Sequence, residues 1–330
     1  MAKVIAALET NHQGDVALGR RLVEAAAACG CAAVKLPIRS VRDCFTSEFL
    51  EQPCHDYPEL GATMGGVLEA LQLDRAALRD VRDAAKGRLE FIAAPWDVGS
   101  LEATDSLDVD AYQIEPQVLS HLPFVREVAR RGRPVFVAAG MCGERELDRV
   151  MSLVAGLPVT LLHCVVGAGD LATTALGYLA SYRNRYRCDV GYLSLEPGFQ
   201  AALVACALGA TVVEKAFTLE PALRGPAHAR SVDPGQMTAL IGAVRGLAAA
   251  LAPVEPREIL PTELEAFATE RAALVATRHL RTGSVLAPDM LTAKSPLRGV
   301  SPALVDLFVG KKLLYDVPAD APITFGMVEL

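Results

Sequence analysis

Residues 199–217 read FQAALVACALGATVVEKAF. In the first half, apolar residues recur at helical spacing, and Gly209 stands where a helix C-terminus is commonly capped. The second half, TVVEKAF (211–217), is a short apolar run of the length of a buried strand. Helix, glycine and strand make one unit of an alternating α/β chain. The strand ends in Glu214 and Lys215, and charges at the tip of an apolar strand are costly to place without a reason. The positions that follow are inert: Ala216 next to Lys215, and Ala227 after the Gly225-Pro226 turn.

The same unit recurs along the chain. Strands are predicted at 4–9, 32–36, 90–94, 111–114, 134–139, 159–164, 188–193 and 211–217, with amphipathic segments between them. Several of those segments end in glycine, at 30, 87, 132 and 209. Eight β-α units in about 250 residues match the count and size of a (β/α)8 TIM barrel, an α/β fold. A doubly wound open sheet is the alternative, but no GxGxxG follows an early strand. The connection 38–72 is too long for a plain barrel loop and predicts a lid or substrate loop. The barrel is predicted over 1–251, a Pro-rich semi-rigid linker over 252–261, and a small β-rich unit over 262–330 with strand-like runs ALVAT, LLYDV and ITF.

Composition agrees with a buried parallel sheet: 52% of the 330 residues are hydrophobic and only 5% aromatic. A net charge of −7 and no long Lys/Arg block argue against nucleic acid as a partner. No apolar run is long enough to span a membrane, and the N-terminus lacks a signal-peptide pattern. Eight scattered cysteines without a CxxC pair read as buried free thiols in a reducing, cytoplasmic setting.

In a barrel the strand C-termini face the active site. The polar residues there are Glu9, Asn11 and His12, then Lys35, Asp97, Gln113, His163, Tyr192, Glu214 and Lys215. Glu9 and His12 are candidates for hydroxyl contacts or proton transfer, and Lys35 and Lys215 for anion binding or, if desolvated, imine chemistry. The bland alternatives are a loop whose Asn11 and His12 cap backbone, lysines held in ion pairs, a helix-capping Asp97, a core His163 and an exposed His228.

These residues lie in motifs that resemble the sialic acid (nonulosonic acid) synthase family. The motifs are ExNHxGD (9–15), AVK ending at Lys35, APWD ending at Asp97, YxI ending at Ile114, LLHC ending at Cys164, ALGAxxxEKxFTL (207–219) and GPxH (225–228). The tail resembles that family's C-terminal antifreeze-like (SAF, β-clip) domain through RxALVA (271–276) and LRTGxVLAPDML (280–291). The resemblance implies a barrel that condenses phosphoenolpyruvate with an N-acylated amino sugar. It also implies a divalent metal held by two histidines, and a domain-swapped homodimer whose small domain sends an arginine to the partner's substrate.

The sequence departs from that pattern at the implied site. The two metal-ligand positions are Leu195 and Ala216, so no metal cofactor is expected. The family's hydroxyls and lysine fall on Ala93, Ala94, Gln113, Pro116 and Ala138, its carboxylate after Gly-Pro on Ala227, and its cross-chain arginine on Ser295. Arg298 is the nearest substitute for that arginine. An anion that brings up to three charges into a dry cleft needs donors and cations that are missing here.

Three readings follow. One is a divergent, metal-independent enzyme that makes or breaks a carbon–carbon bond on a polar carbonyl or sugar-like small molecule. Its catalytic set would be Glu9, His12, Lys35 and Lys215, and its substrate contacts Asn11, Asp97, Gln113, Tyr192, Glu214 and Arg298. The second is a catalytically silent homologue that binds or assembles with a partner. The third is the family reaction, a transferase step of carbohydrate biosynthesis, with relocated ligands.

Overall fold

In the computed structural model, which describes residues 2–252 and 256–329, eight parallel strands close into a barrel. They are β1 (Lys3–Ala7), β2 (Ala33–Ile38), β3 (Glu90–Pro95), β4 (Ala111–Ile114), β5 (Val135–Ala139), β6 (Val159–His163), β7 (Asp189–Ser194) and β8 (Val212–Ala216). Each overlaps a predicted strand. Closure is made by β1 on β8, with Ile5 opposite Glu214 and Ala7 opposite Ala216.

The connecting helices run in chain order. They are α1 (Val16–Cys29), α2 (Val41–Cys44), α3 (Ser47–Leu50), α4 (Met64–Ala70), α5 (Arg75–Ala85), α6 (Val98–Thr104), α7 (Leu122–Arg130), α8 (Glu144–Leu153), α9 (Tyr178–Tyr186), α10 (Gln200–Ala207) and α11 (Pro234–Ala250). Their ends follow local chemistry. Asp15 and Asp74 accept the first free N–H groups of α1 and α5, and Asp233 with Gln236 forms a capping box on α11. Gly30, Gly87, Gly132 and Gly209 all take positive φ, as predicted for C-terminal caps.

Strand alternation divides the side chains into two layers. Ile5, Ala33, Ile92, Ala111, Ala138, Leu162, Leu193 and Val212 pack together inside the barrel. Their neighbours Ala6, Val34, Phe91, Tyr112, Val137, Leu161, Tyr192 and Val213 belong to the larger core between sheet and helices. The register therefore decides which strand-end polar residues share a space.

The long connection after β2 carries α2, α3 and α4 and a small core of its own, with Cys54, Val67 and Leu71 buried. Gly14 marks where it returns to the barrel. Its φ is +72°, and a Cβ there would lie 2.2 Å from the Ala70 carbonyl oxygen, so only glycine fits.

The chain divides into two compact units, 1–252 and 253–330. Of the predicted linker, residues 253–255 lie outside the described residues. The second unit holds α12 (Leu264–Glu270) and an antiparallel pair, β9 (Ala273–Ala276) with β10 (Leu291–Lys294). Its core is separate, centred on Phe308, Ile323, Leu313 and Val317. LLYDV makes isolated bridges at Leu313 and Val317 instead of a strand, ITF forms neither strand nor bridge, and β10 begins at Leu291, where the LRTGxVLAPDML motif ends. Among the described residues no helix is long and apolar enough to cross a membrane.

Candidate functional site

Lys35 sits in β2 at the level where the barrel's apolar interior gives way to polar groups. The residue is buried, and its Nζ donates to Glu9 Oε1 at 2.9 Å and to Glu115 Oε1 at 2.7 Å. Glu214 Oε1 lies 3.0 Å from the same nitrogen, but among the described residues neither Glu214 oxygen accepts a hydrogen bond. Gln113, fully buried on β4, donates its amide to Glu115 Oε1 at 3.2 Å, while its own Oε1 has no donor among the described residues. One ammonium thus serves three carboxylates that arrive from the ends of three strands.

Each element contributes for a local reason. Glu214 follows Val212 by two residues on β8, and Lys35 follows Ala33 on β2, so both point inward with those apolar neighbours. Glu115 follows Ala111 and Gln113 in the same alternation, just past β4. Glu9 adopts φ +49° in the turn after β1, which carries its side chain over the barrel end. Glu9 is also the outlet of the cluster: its side chain is 18% exposed, and its Oε2 lies 3.6 Å from the Arg230 guanidinium.

The four charges hold one another unequally. Burial alone would lower the Lys35 ammonium, but Glu115, Glu214 and Glu9 keep its pKa well above the usual lysine value. Burial works against ionised Glu9, yet Lys35 and Arg230 outweigh it and hold that carboxyl below its usual range. For Glu214 burial prevails. Lys35 opposes it, Glu115 and Glu9 add to it, and the pKa is pushed up to about 7. The cluster therefore pairs a carboxylate that stays ionised with a carboxyl that exchanges a proton near neutrality.

The rest of the predicted set lies elsewhere. Lys215 points away from Glu214, toward the helix layer, opposite Ala6 and Ser194. Its ammonium donates to Ser194 Oγ at 3.1 Å and to the carbonyls of Ser194 and Glu196, and burial brings its pKa down to about 8. Glu196 in turn accepts from Tyr192 (2.7 Å) and Ser194 (2.6 Å), so Tyr192 also faces outward. The predicted pair of catalytic lysines is thus two separate environments, split by strand alternation.

Asn11 donates to the Phe217 carbonyl and to Ser231 Oγ, both at 2.8 Å, and ties the first loop to the end of β8. His12 accepts from the Gly14 N–H at 3.1 Å, and burial, with help from Arg39, lowers its pKa to about 4. Asp97 caps α6 through Ser100 N (2.7 Å) and Ser100 Oγ (2.6 Å) and also accepts from Ser40 N (2.8 Å) at the start of the long connection after β2. Asn11, His12 and Asp97 all have backbone-organising bonds and none touches Lys35. Arg298 is exposed in the second unit and makes no ion pair among the described residues. His163 is a buried core histidine bonded to the Thr174 carbonyl (2.7 Å). His228 corrects the expectation of an exposed loop residue: it is 1% exposed and held between Thr218 Oγ1 (2.7 Å) and Gln13 Nε2 (3.0 Å).

Glu115 was not among the candidates. Its signal was available in QIE (113–115), because alternation puts residue 115 on the same side as Gln113. A cleft of about 960 Å³, lined by Met141, Cys142, His163, Tyr178 and Tyr182 among others, opens beside β5 and β6 and includes, of the strand-end polar residues read from the sequence, only His163.

The metal implied by the resemblance does not fit these residues. Leu195 and Ala216 offer no ligand atom, the three carboxylates already share an ammonium, and no group of three or more His, Cys, Asp or Glu side chains suited to a metal ion occurs among the described residues.

With this geometry in hand, the comparisons with known proteins are informative. The NeuB family model matches residues 22–255, and the SAF domain model matches residues 271–329. The N,N'-diacetyllegionaminic acid synthase of Campylobacter jejuni is 26% identical over 93% of this chain and 94% of its own. The human N-acetylneuraminate-9-phosphate synthase is 27% identical over 99% of this chain and 92% of its own. Among solved structures, a putative spore coat polysaccharide biosynthesis protein E from Chromobacterium violaceum superimposes with a TM-score of 0.72 at 22% identity, covering both chains in full.

Proposed function

This chain belongs to the NeuB family, whose named members include nonulosonic acid synthases, and on that premise we propose that it is a divergent, metal-independent member acting on a neutral polyhydroxylated carbonyl compound. The observation that supports this reading is the split pair of carboxyls on Lys35: Glu9 ionised and reaching solvent, Glu214 buried and titrating near neutrality. Such a pair divides the roles of base and acid. In the step proposed, Glu9 takes a proton from the carbon next to the substrate carbonyl. The C–H electrons form the enol double bond, and Glu214 donates its proton to the carbonyl oxygen. The enol carbon then attacks a second carbonyl, or the reverse sequence cleaves a carbon–carbon bond.

The role of Lys35 is to position and charge-balance the carboxylates. An imine would require it neutral, and its three partners hold it as an ammonium. Lys215 has the lowered pKa but sits on backbone carbonyls behind the sheet. Cys164, whose thiol burial pushes far up, is no nucleophile either.

Deuterium exchange tests the proposal. An N-acetylated hexosamine incubated with the protein in heavy water, followed by NMR, is expected to exchange its hydrogen next to the carbonyl. Glu214→Gln is expected to slow that exchange about 100-fold, the usual scale of acid–base catalysis. Equal rates in the two proteins would sink the reading. The silent-homologue alternative draws on one observation: Lys35, Gln113 and Glu214 are each at most 1% exposed, so the cluster also works as a self-contained core. That alternative predicts no exchange with either protein.

A further inference from the structure

Arg39, the residue that follows β2, is a half-buried cation without a paired anion. Among the described residues it makes no ion pair and no hydrogen bond, and its Nε–H is covered without an acceptor. Its guanidinium carbon lies 5.0 Å from the centre of the Trp96 ring and 6.0 Å from that of Phe45. Those ring faces offset part of the charge but give the N–H groups no acceptor oxygen. Glu9 is within electrostatic reach, yet its two oxygens are turned to Lys35 (2.9 Å) and Arg230 (3.6 Å). Burial accordingly lowers the Arg39 pKa, against the weaker pull of its neighbours.

The same residue lines a cavity of about 20 Å³ with Thr10, His12 and Gln72, beside Leu71 and Leu73 where the long connection returns to the barrel. That volume suits one guest about the size of a water molecule. No Asp or Glu lines it, and neither Lys35 nor any of its three carboxylates takes part. His12 is 3% exposed and accepts the Gly14 N–H at Nδ1. With its pKa lowered to about 4 the ring is neutral at pH 7, so its proton sits on Nε2. That N–H has no acceptor among the described residues. Thr10 adds a hydroxyl, and Gln72 spends its amide nitrogen on the Leu68 carbonyl at 2.7 Å. A neutral guest would satisfy the donors and leave the guanidinium uncompensated, whereas an anion does both.

We infer that this cavity binds one small monoanion of chloride's size against Arg39 and His12. The ion would tie together the turn after β1, the end of β2 and the return of the long connection, the three segments that supply the lining. The site is separate from the Lys35 cluster and does not depend on the proposed reaction.

Trp96, the protein's single tryptophan, reports on the site because it lies under the Arg39 guanidinium. Bromide quenches tryptophan fluorescence at contact, and chloride does not. Bromide is titrated into the full chain at constant ionic strength, made up with gluconate, an anion too large for the cavity. Trp96 is expected to be quenched along a saturating curve, and added chloride is expected to restore its emission by competition. Arg39→Met should leave only a linear, collisional component. Arg298→Met, which removes an exposed arginine of the second unit, should keep the saturating curve. Chloride at ten times its dissociation constant should shift the folded-to-unfolded ratio about tenfold relative to gluconate in urea unfolding. The chloride competition is read on the unaltered chain and stands even if Arg39→Met does not fold. Linear quenching that chloride does not reverse, or equal stability in the two salts, would mean that the cavity takes only water and overturns the inference.

Discussion

Lys35 is the residue on which the inner charges depend, because removing one partner of a buried ion pair strands the other. Lys35→Met would leave Glu9, Glu115 and Glu214 facing one another without their shared ammonium. The expected cost is about 3–5 kcal/mol, or partial neutralisation of the carboxyls, and urea unfolding with parallel pH titration would measure it. Glu214 yields a prediction with a definite sign. Its pKa is raised in the fold to about 7 from an ordinary 4.5, so the folded state favours its protonated form. That contribution is fully present below about pH 4.5 and is lost as pH rises through 7. Glu9 runs the other way, its lowered carboxyl supporting the fold above pH 4.5 and failing in acid. The difference between the native protein and Glu214→Gln isolates the first effect: the native curve should decline relative to the variant between pH 4.5 and 7. A variant curve parallel to the native one across that window would show that Glu214 titrates normally.

Between elements, the site depends on how loops are fastened, and this is where sequence reading and structure part. Asp97 reads from sequence as a helix cap or a ligand contact; in the structure it joins two elements, capping α6 and holding Ser40 at the start of the long connection after β2. Asp97→Ala should cost about 1–2 kcal/mol, the scale of a lost helix cap, and should speed hydrogen exchange at residues 40–46 more than in the barrel strands. Uniform exchange across the barrel would place the effect in the core instead. The strands were legible because a two-residue alternation inside runs of Val, Ile, Leu and Ala has few competing readings. The helix ends were legible through glycines that need positive φ. The site was legible only to the extent that alternation could be carried to the strand tip. Glu214 and Lys35 share a layer by that rule and Lys215 does not, as the neighbouring position implied. Glu115 lies one residue past the end of β4, where the strand's own alternation stops. Glu9 lay beyond β1, in a left-handed turn that no periodicity foretells.

At the scale of the molecule, the chain is two units with two cores. The barrel unit buries Leu22, Val81, Phe124, Leu240 and their neighbours, while the second unit encloses Phe308, Ile323 and Leu313 by itself. A compact unit with a hydrophobic core of its own can in principle fold alone. All four groups of the Lys35 cluster, and Arg230 with them, come from the first unit. A truncation that ends at Ala252 is therefore expected to keep a cooperative unfolding transition and the Glu214-dependent fall in stability between pH 4.5 and 7. Calorimetry of the full chain and of the truncation, each across that pH range, measures both. If the truncated barrel lost the pH response while retaining its transition, the cluster's electrostatics would depend on the second unit. The small domain would then help to set the proton balance at the barrel end, beyond what the barrel's own strands supply.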